Sequence, residues 1–213
     1  MHVHSASHIA GTATTITHQE NNMQATIRKI QCQCGHLQGI LSGAAGATRL
    51  RCYCQDCQTY AHTLGNPEAV LDQHGGTDVV TTLQQHLRFT RGTDALACLS
   101  LSDQGLLRWY ASCCNTPIAN TARDPKMSFA ALLHNALGGS ATLDREFGAA
   151  YAAVNTGHAR GKVAGGGRSA LFSTARIVTS VIKARANGSW KNSPFFRPGS
   201  AAPVATPLIA SAA

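Results

Sequence analysis

Eight cysteines carry most of the recognisable chemistry in this 213-residue chain. Five lie close together: Cys32 and Cys34 in "QCQCG", then Cys52, Cys54 and Cys57 in "RCYCQDC". Cys98, Cys113 and Cys114 follow. The C-x-C and C-x-C-x-x-C spacings give poor disulfide geometry, but they place thiolates around one soft ion. Zinc fits such a set best, with tetrahedral sulfur ligation at about 2.3 Å. Gly35, directly after Cys34, suits the tight turn of a metal knuckle. Any single cysteine can instead be a small buried apolar residue, and Cys98 in the apolar run "ALACLSLS" reads that way.

The two clusters offer different things. Cys52, Cys54 and Cys57 supply three ligands and leave a fourth position open, as in a reactive zinc that binds a thiol and holds it as thiolate. Cys32 and Cys34 need partners from elsewhere, and the other close pair is Cys113–Cys114. Joining sequence-distant pairs through an ion would staple the sheet, as a structural zinc does. The expected cofactor is one or two Zn2+ per chain. Asp56 inside the knuckle and His62 after it read as solvated loop residues.

These cysteines must be positioned by strands. From Ala25 the chain shows alternation and turn signals in "ATIRKIQCQCG", "HLQGILSG", "ATRLRCYC", "HLRFTRG" and "ALACLSLSDQGLLRWYAS". "SDQG" predicts a hairpin turn with Gly105 at a position that tolerates positive φ. "LDREFGAAYAAVNTG" predicts a short helix. "SALFSTARIVTSVIKARANG" predicts an amphipathic helix, with Leu171, Ala175, Val178 and Ile182 as an apolar stripe widened by Phe172, Ile177 and Val181. The glycine-rich "GHARGKVAGGGRSALF" departs from the phosphate-loop spacing and reads as a connector. The expected organisation is a disordered leader over 1–22, a zinc-binding β domain over 23–146, a basic helical extension over 147–197 and a disordered tail over 198–213. Met23 is an alternative start.

Hydrophobic residues make up 44% of the chain, which suits one globular core. No apolar run reaches the length of a transmembrane helix. The N-terminal stretch has no apolar segment typical of an export signal, so a cytoplasmic, reducing location is expected, where disulfides are not favoured. Charge is uneven. Residues 1–146 hold ten Lys/Arg and ten Asp/Glu, whereas 147–213 hold eight Lys/Arg and no acid, so the formal +8 lies in the last third.

The ordered set "CQCG" (32–35), "CYCQDC" (52–57) and "RWYASCCNTPI" (108–118) resembles the glutathione-dependent formaldehyde-activating enzyme family, which includes the CENP-V-like proteins. The resemblance covers about Ile27 to Thr121 and points to an uncharacterised branch. It implies a mainly β, Mss4-like fold of several coiled β-sheets with a few helices, stapled by zinc. It implies one structural zinc between Cys32, Cys34 and the later pair, and a second at Cys52, Cys54 and Cys57, where the thiol of glutathione binds. Family members end with F-C-x-x-C-G. Here Tyr110 stands at the first of those cysteines, Cys113 at the second and Cys114 at the glycine. The fourth structural ligand is then Cys114, with His36 and Cys98 as weaker candidates. The Arg-rich stretch usual after the knuckle is replaced by "QTYAHTLG".

The resulting expectation is carbon–sulfur lyase type chemistry. Catalytic Cys52, Cys54 and Cys57 would activate a low-molecular-weight, glutathione-like thiol for addition to a small aldehyde. The alternative is a non-enzymatic zinc-stabilised module that docks on an acidic partner through its basic C-terminal third. No motif for specific nucleic-acid recognition is present.

Overall fold

The computed structural model describes residues 27–43, 47–147, 152–163 and 168–210. The expected leader and Met23 lie outside them. The protein is mainly β, with three α-helices among the described residues.

Two sheets share one main core. The smaller joins β1 (Arg28–Gln31), β2 (Gln38–Leu41) and β5 (Leu87–Arg91), all antiparallel. The larger has eight strands. Its centre is an antiparallel run of β3 (Thr48–Cys52), β4 (Thr77–Leu83), β9 (Phe129–Leu133), β8 (Thr116–Thr121), β7 (Leu107–Ala111) and β6 (Leu96–Ser100). Its edges are β10 (Ala152–Val154), parallel to β3, and β11 (Leu208–Ile209), parallel to β6.

Period-two alternation sorts the large sheet's side chains into two layers. Val80, Leu107, Trp109, Ala130 and Leu132 face the small sheet and meet Ile30, Leu37, Leu41 and Leu87 in the main core. Val79, Leu99 and Leu133 face the other way and meet Tyr60, Ala61 and Leu64. Tyr60 and Ala61 belong to α1 (Gln55–Thr63), and Leu64 is its C-cap. The stretch read as a polar knuckle loop is therefore a helix. Cys54 caps it, and the two turns that follow bury Cys57, Tyr60 and Ala61.

Several other expectations change. The predicted helix over 143–157 is divided: α2 (Ser140–Phe147) is helical, but Ala152–Val154 is a strand. Pairing along the open edge of β3 overrides the helix preference of alanine. The hairpin turn at "SDQG" forms, but Gly105 is not in the left-handed region. A Cβ there would come within 3.0 Å of Ser102 Oγ and 3.1 Å of Ser100 Oγ, so a larger residue would have to displace these hydroxyls slightly.

The C-terminal third is built into the fold. Residues 198–210, expected to be disordered, lie against it: Val204 N–H donates to Phe195 O, and β11 follows. Phe195 is fully buried, 5.0 Å from the Trp109 ring and 5.7 Å from that of Phe89. The helix α3 (Arg168–Ala186) forms as predicted, but its most buried residues are Val181 and Ala184. The predicted stripe is largely exposed, with Leu171 and Phe172 each at 74%. Periodicity locates an apolar stripe but says nothing of how completely a neighbour covers it.

Phe195→Ala should lower stability by about 3–5 kcal/mol, the usual cost of emptying a core aromatic site. Denaturant unfolding measures this. A loss below about 1 kcal/mol would mean that the C-terminal segment is not part of the core.

Candidate metal centres and the adjoining cavity

Seven of the eight cysteines gather into two groups, with sulfurs within 4.8 Å of one another in each. The first is Cys32, Cys34, Cys113 and Cys114. The β1–β2 turn supplies two of them. Gly35 N–H donates to Cys32 O, and Gly35 takes φ +79°, a conformation other residues rarely adopt. Leu37 N–H donates to Cys32 Sγ at 3.3 Å. The β7–β8 turn supplies the other two. Cys34 and Cys113 sulfurs are 3.3 Å apart, Cys32 and Cys113 3.8 Å, and Cys113 and Cys114 3.8 Å. A sulfur tetrahedron around zinc has edges of about 3.8 Å.

Adjacent Cys113 and Cys114 both reach the group, and Asn115 directly after them takes the left-handed region at φ +52°. The Cys114 sulfur contacts Thr116 Oγ1 at 3.0 Å. Cys114 therefore completes the group of four. The weaker candidates do not join it: His36 faces Asp94, and Cys98 is buried in the main core.

The second group is Cys52, Cys54 and Cys57. Cys52 ends β3, Cys54 is the N-cap of α1, and Cys57 sits in its first turn. Cys57 N–H donates to Cys54 Sγ at 3.4 Å, and the Cys52 and Cys54 sulfurs are 3.4 Å apart. Asn155 Nδ2 donates to Cys52 Sγ at 3.4 Å. A helix N-terminus and amide donors both favour sulfur in its charged form.

Proton sharing follows from this crowding. Contacts from Cys54 and Cys57 pull the Cys52 thiol down to about 2. Contacts from Cys52 and Cys54 push Cys57 strongly upward, and Cys52 raises Cys54. At the four-cysteine centre burial raises Cys32. Burial also works to raise Cys114, but hydrogen bonds from Thr116 and the Cys34 backbone bring it down to about 6.

The three-cysteine centre opens on a cavity of about 470 Å³. The second face of the large sheet floors it with Leu50, Val79, Thr81, Ala131, Asn120 and Arg108. The helix α3 roofs it with Ile177, Val178, Val181 and Ile182. Cys52 and Cys54 are half-buried and Cys57 is buried. Asp56 also lines the cavity and accepts from Arg108 Nη2 at 3.2 Å, so it is not the free loop acid expected. His62 is exposed on the last turn of α1 and is not among the lining residues.

Arg108, Asn155 and the four α3 residues were not read as site residues from sequence. Arg108 left one signal, as a lone cation within the apolar strand "LLRWYA". Asn155 left none, because its reach to Cys52 spans 103 residues.

Two sheets joined at a cluster of four cysteines, with three more at a helix start above a cavity, define a mainly β protein with two candidate metal centres. A family model matches residues 24–206, and the chain belongs to that family, described as a family of unknown function (DUF6151). No curated protein matches the chain. Among solved structures, a crystal structure of a Rhodobacter sphaeroides protein from a structural genomics programme is similar at 18% identity and a TM-score of 0.40. The match covers 59% of this chain and 99% of that one. Among the described residues no helix is long and apolar enough to cross a membrane.

Replacing Cys114 with glycine should weaken metal at the four-cysteine centre at least about tenfold while the other centre keeps its affinity. Titration of the reduced apoprotein with Co2+, followed by thiolate charge-transfer absorbance, reads both. Unchanged binding at both centres would place the fourth ligand elsewhere.

Proposed function

We propose that this protein is a zinc-dependent, carbon–sulfur lyase type enzyme that adds a low-molecular-weight thiol to a small aldehyde at the Cys52–Cys54–Cys57 centre. One observation carries the reading. The four-cysteine group has a full tetrahedral complement, whereas the three-cysteine group is one ligand short and opens on a cavity. All-sulfur donors suit zinc among the common metals. The motif resemblance to the glutathione-dependent formaldehyde-activating family supports the same reading, and with it a zinc-stapled, Mss4-like fold.

Cys52, Cys54 and Cys57 would hold the zinc ion, which would supply the Lewis acidity that favours the ionised form of an incoming thiol. The protein's own groups do the rest. Asn155 and the first turn of α1 hold the Cys52, Cys54 and Cys57 sulfurs on one side of the cavity. The walls beside them are largely apolar. The substrate thiolate adds to the carbonyl carbon, forming one C–S bond. The carbonyl π pair moves to oxygen, which takes up a proton equivalent to the one the thiol lost. The product is a hemithioacetal, and the reverse reaction is a carbon–sulfur cleavage.

X-ray absorption at the zinc edge should show two sulfur-ligated ions per chain, with the mean sulfur count rising when glutathione or another thiol is added. Cys32→Ser and Cys34→Ser should lower the melting temperature more than Cys52→Ser or Cys54→Ser. A centre joining distant segments restrains more chain than a local one. Knuckle cysteines found oxidised and metal-free in protein purified under reducing conditions would end this reading.

The binding-module reading retains one supporting observation. Lys183 and Arg185 are exposed near the end of α3, within the region that holds the whole charge excess. Deleting the region would strip the core of Phe195, so charge reversal is the cleaner probe. If docking is the function, Lys183→Glu with Arg185→Glu should abolish salt-sensitive retention on heparin. Retention equal to wild type would exclude this surface.

A further inference from the structure

The cavity contains polar groups that thiol activation does not consume. Arg108 and Asn120 are cross-strand partners on β7 and β8, and both line the cavity floor. Arg108 is 1% exposed and Asn120 4%. The guanidinium is held from two sides, by Asp56 through Nη2 and by the Tyr60 ring 5.3 Å away. Its Nε and Nη1 find no acceptor among the described residues, and Asn120 Oδ1 finds no donor.

Arginine stays charged in any such setting, and buried donors of this strength are rarely left open. A group that enters the cavity would complete them. The fork geometry of a guanidinium matches a carboxylate, which also accepts from an asparagine amide turned to present its nitrogen. Around this polar spot the walls are apolar: Leu106, Met127 and Phe129 on one side, Ile177, Val178 and Ile182 on the other.

We infer that the cavity binds a small molecule with an apolar body and a single carboxylate head, the head on Arg108 and Asn120 and the body beneath α3. The inference rests on reading the three-cysteine centre's cavity as a substrate site, and it narrows the substrate class. Glutathione fits poorly. It carries two carboxylates, an ammonium and two peptide groups, whereas Arg108 is the one cation among the described lining residues and Asp56 already balances part of its charge. Desolvating the remaining polar groups against aliphatic walls would be unfavourable. The thiol or aldehyde used here therefore carries an apolar chain.

Isothermal titration calorimetry of the metal-replete full chain with octanoate tests this, with octylamine and glutathione in parallel. Octanoate should bind, with the negative heat-capacity change of apolar burial, and octylamine should not. Arg108→Gln should weaken octanoate at least about tenfold, as expected for losing charge-assisted hydrogen bonds. Because Arg108 is buried, Ile182→Glu provides a second variant at a site 61% exposed, where folding is not at risk. It should weaken octanoate comparably and leave the melting temperature unchanged. Equal binding of octanoate and octylamine, or octanoate affinity unaffected by either substitution, would overturn the inference. So would glutathione binding more tightly than octanoate. The two proposals separate cleanly. Octanoate binding without added sulfur at the metal edge would remove the thiol chemistry and keep this site. Added sulfur without octanoate binding would do the reverse.

Discussion

Sulfur atoms brought within about 4 Å of one another cannot all ionise unless a cation lies among them. Two thiolates at the 3.4 Å separation of Cys52 and Cys54 repel by roughly 5 kcal/mol at an effective dielectric constant of about 20. The chain nonetheless gathers seven sulfurs in this way, using backbone devices that leave little freedom. Gly35 tightens one turn, Asn115 takes the left-handed position in another, and the first turn of α1 aims Cys54 and Cys57. The four-cysteine group brings the β1–β2 turn against the β7–β8 turn, so it ties the small sheet to the large one across about 80 residues of sequence. The shared main core between the sheets and the sulfur cluster at its margin restrain the same pair of layers.

The C-terminal third has a structural role that its composition does not advertise. It closes one edge of the large sheet with β10 and the other with β11, and covered edges are protected from pairing with other chains. It places Phe195 against Trp109 in the main core. It also lays α3 over the sheet's second face, where the helix roofs a cavity and is not fully packed. That explains why apolar side chains at Val178 and Ile182 remain 49% and 61% exposed: they face a groove. Lys183 and Arg185 near its end are exposed without being the reason the helix is there.

The large sheet gives its two faces different work. On one, Trp109 and its neighbours are fully enclosed, and even the indole N–H is satisfied by Thr121 Oγ1 at 2.9 Å. On the other, one residue away along β7, Arg108 is enclosed but incompletely satisfied. Alternation along a strand thus separates a finished core from a site with open hydrogen-bonding capacity within a single residue step.

The close cysteine spacings, the β-rich pattern and the amphipathic character of α3 were legible in the sequence because each is a local property. A C-x-C turn or an apolar period depends on residues within a few positions of one another. Cys114 as the fourth member of its group was legible only as a candidate, since choosing among Cys114, His36 and Cys98 required knowing how the β7–β8 turn directs its side chains. The helix at α1 was hidden because its N-cap is a cysteine, not one of the usual capping residues. What tertiary structure alone decided was long-range. It set the pairing of Ala152–Val154 with β3, the contact of Asn155 with Cys52, the burial of Phe195 and the enclosure of Arg108 beneath α3. These depend on what covers a residue and not on what precedes or follows it, and burial and electrostatic environment come into being only once distant segments have packed.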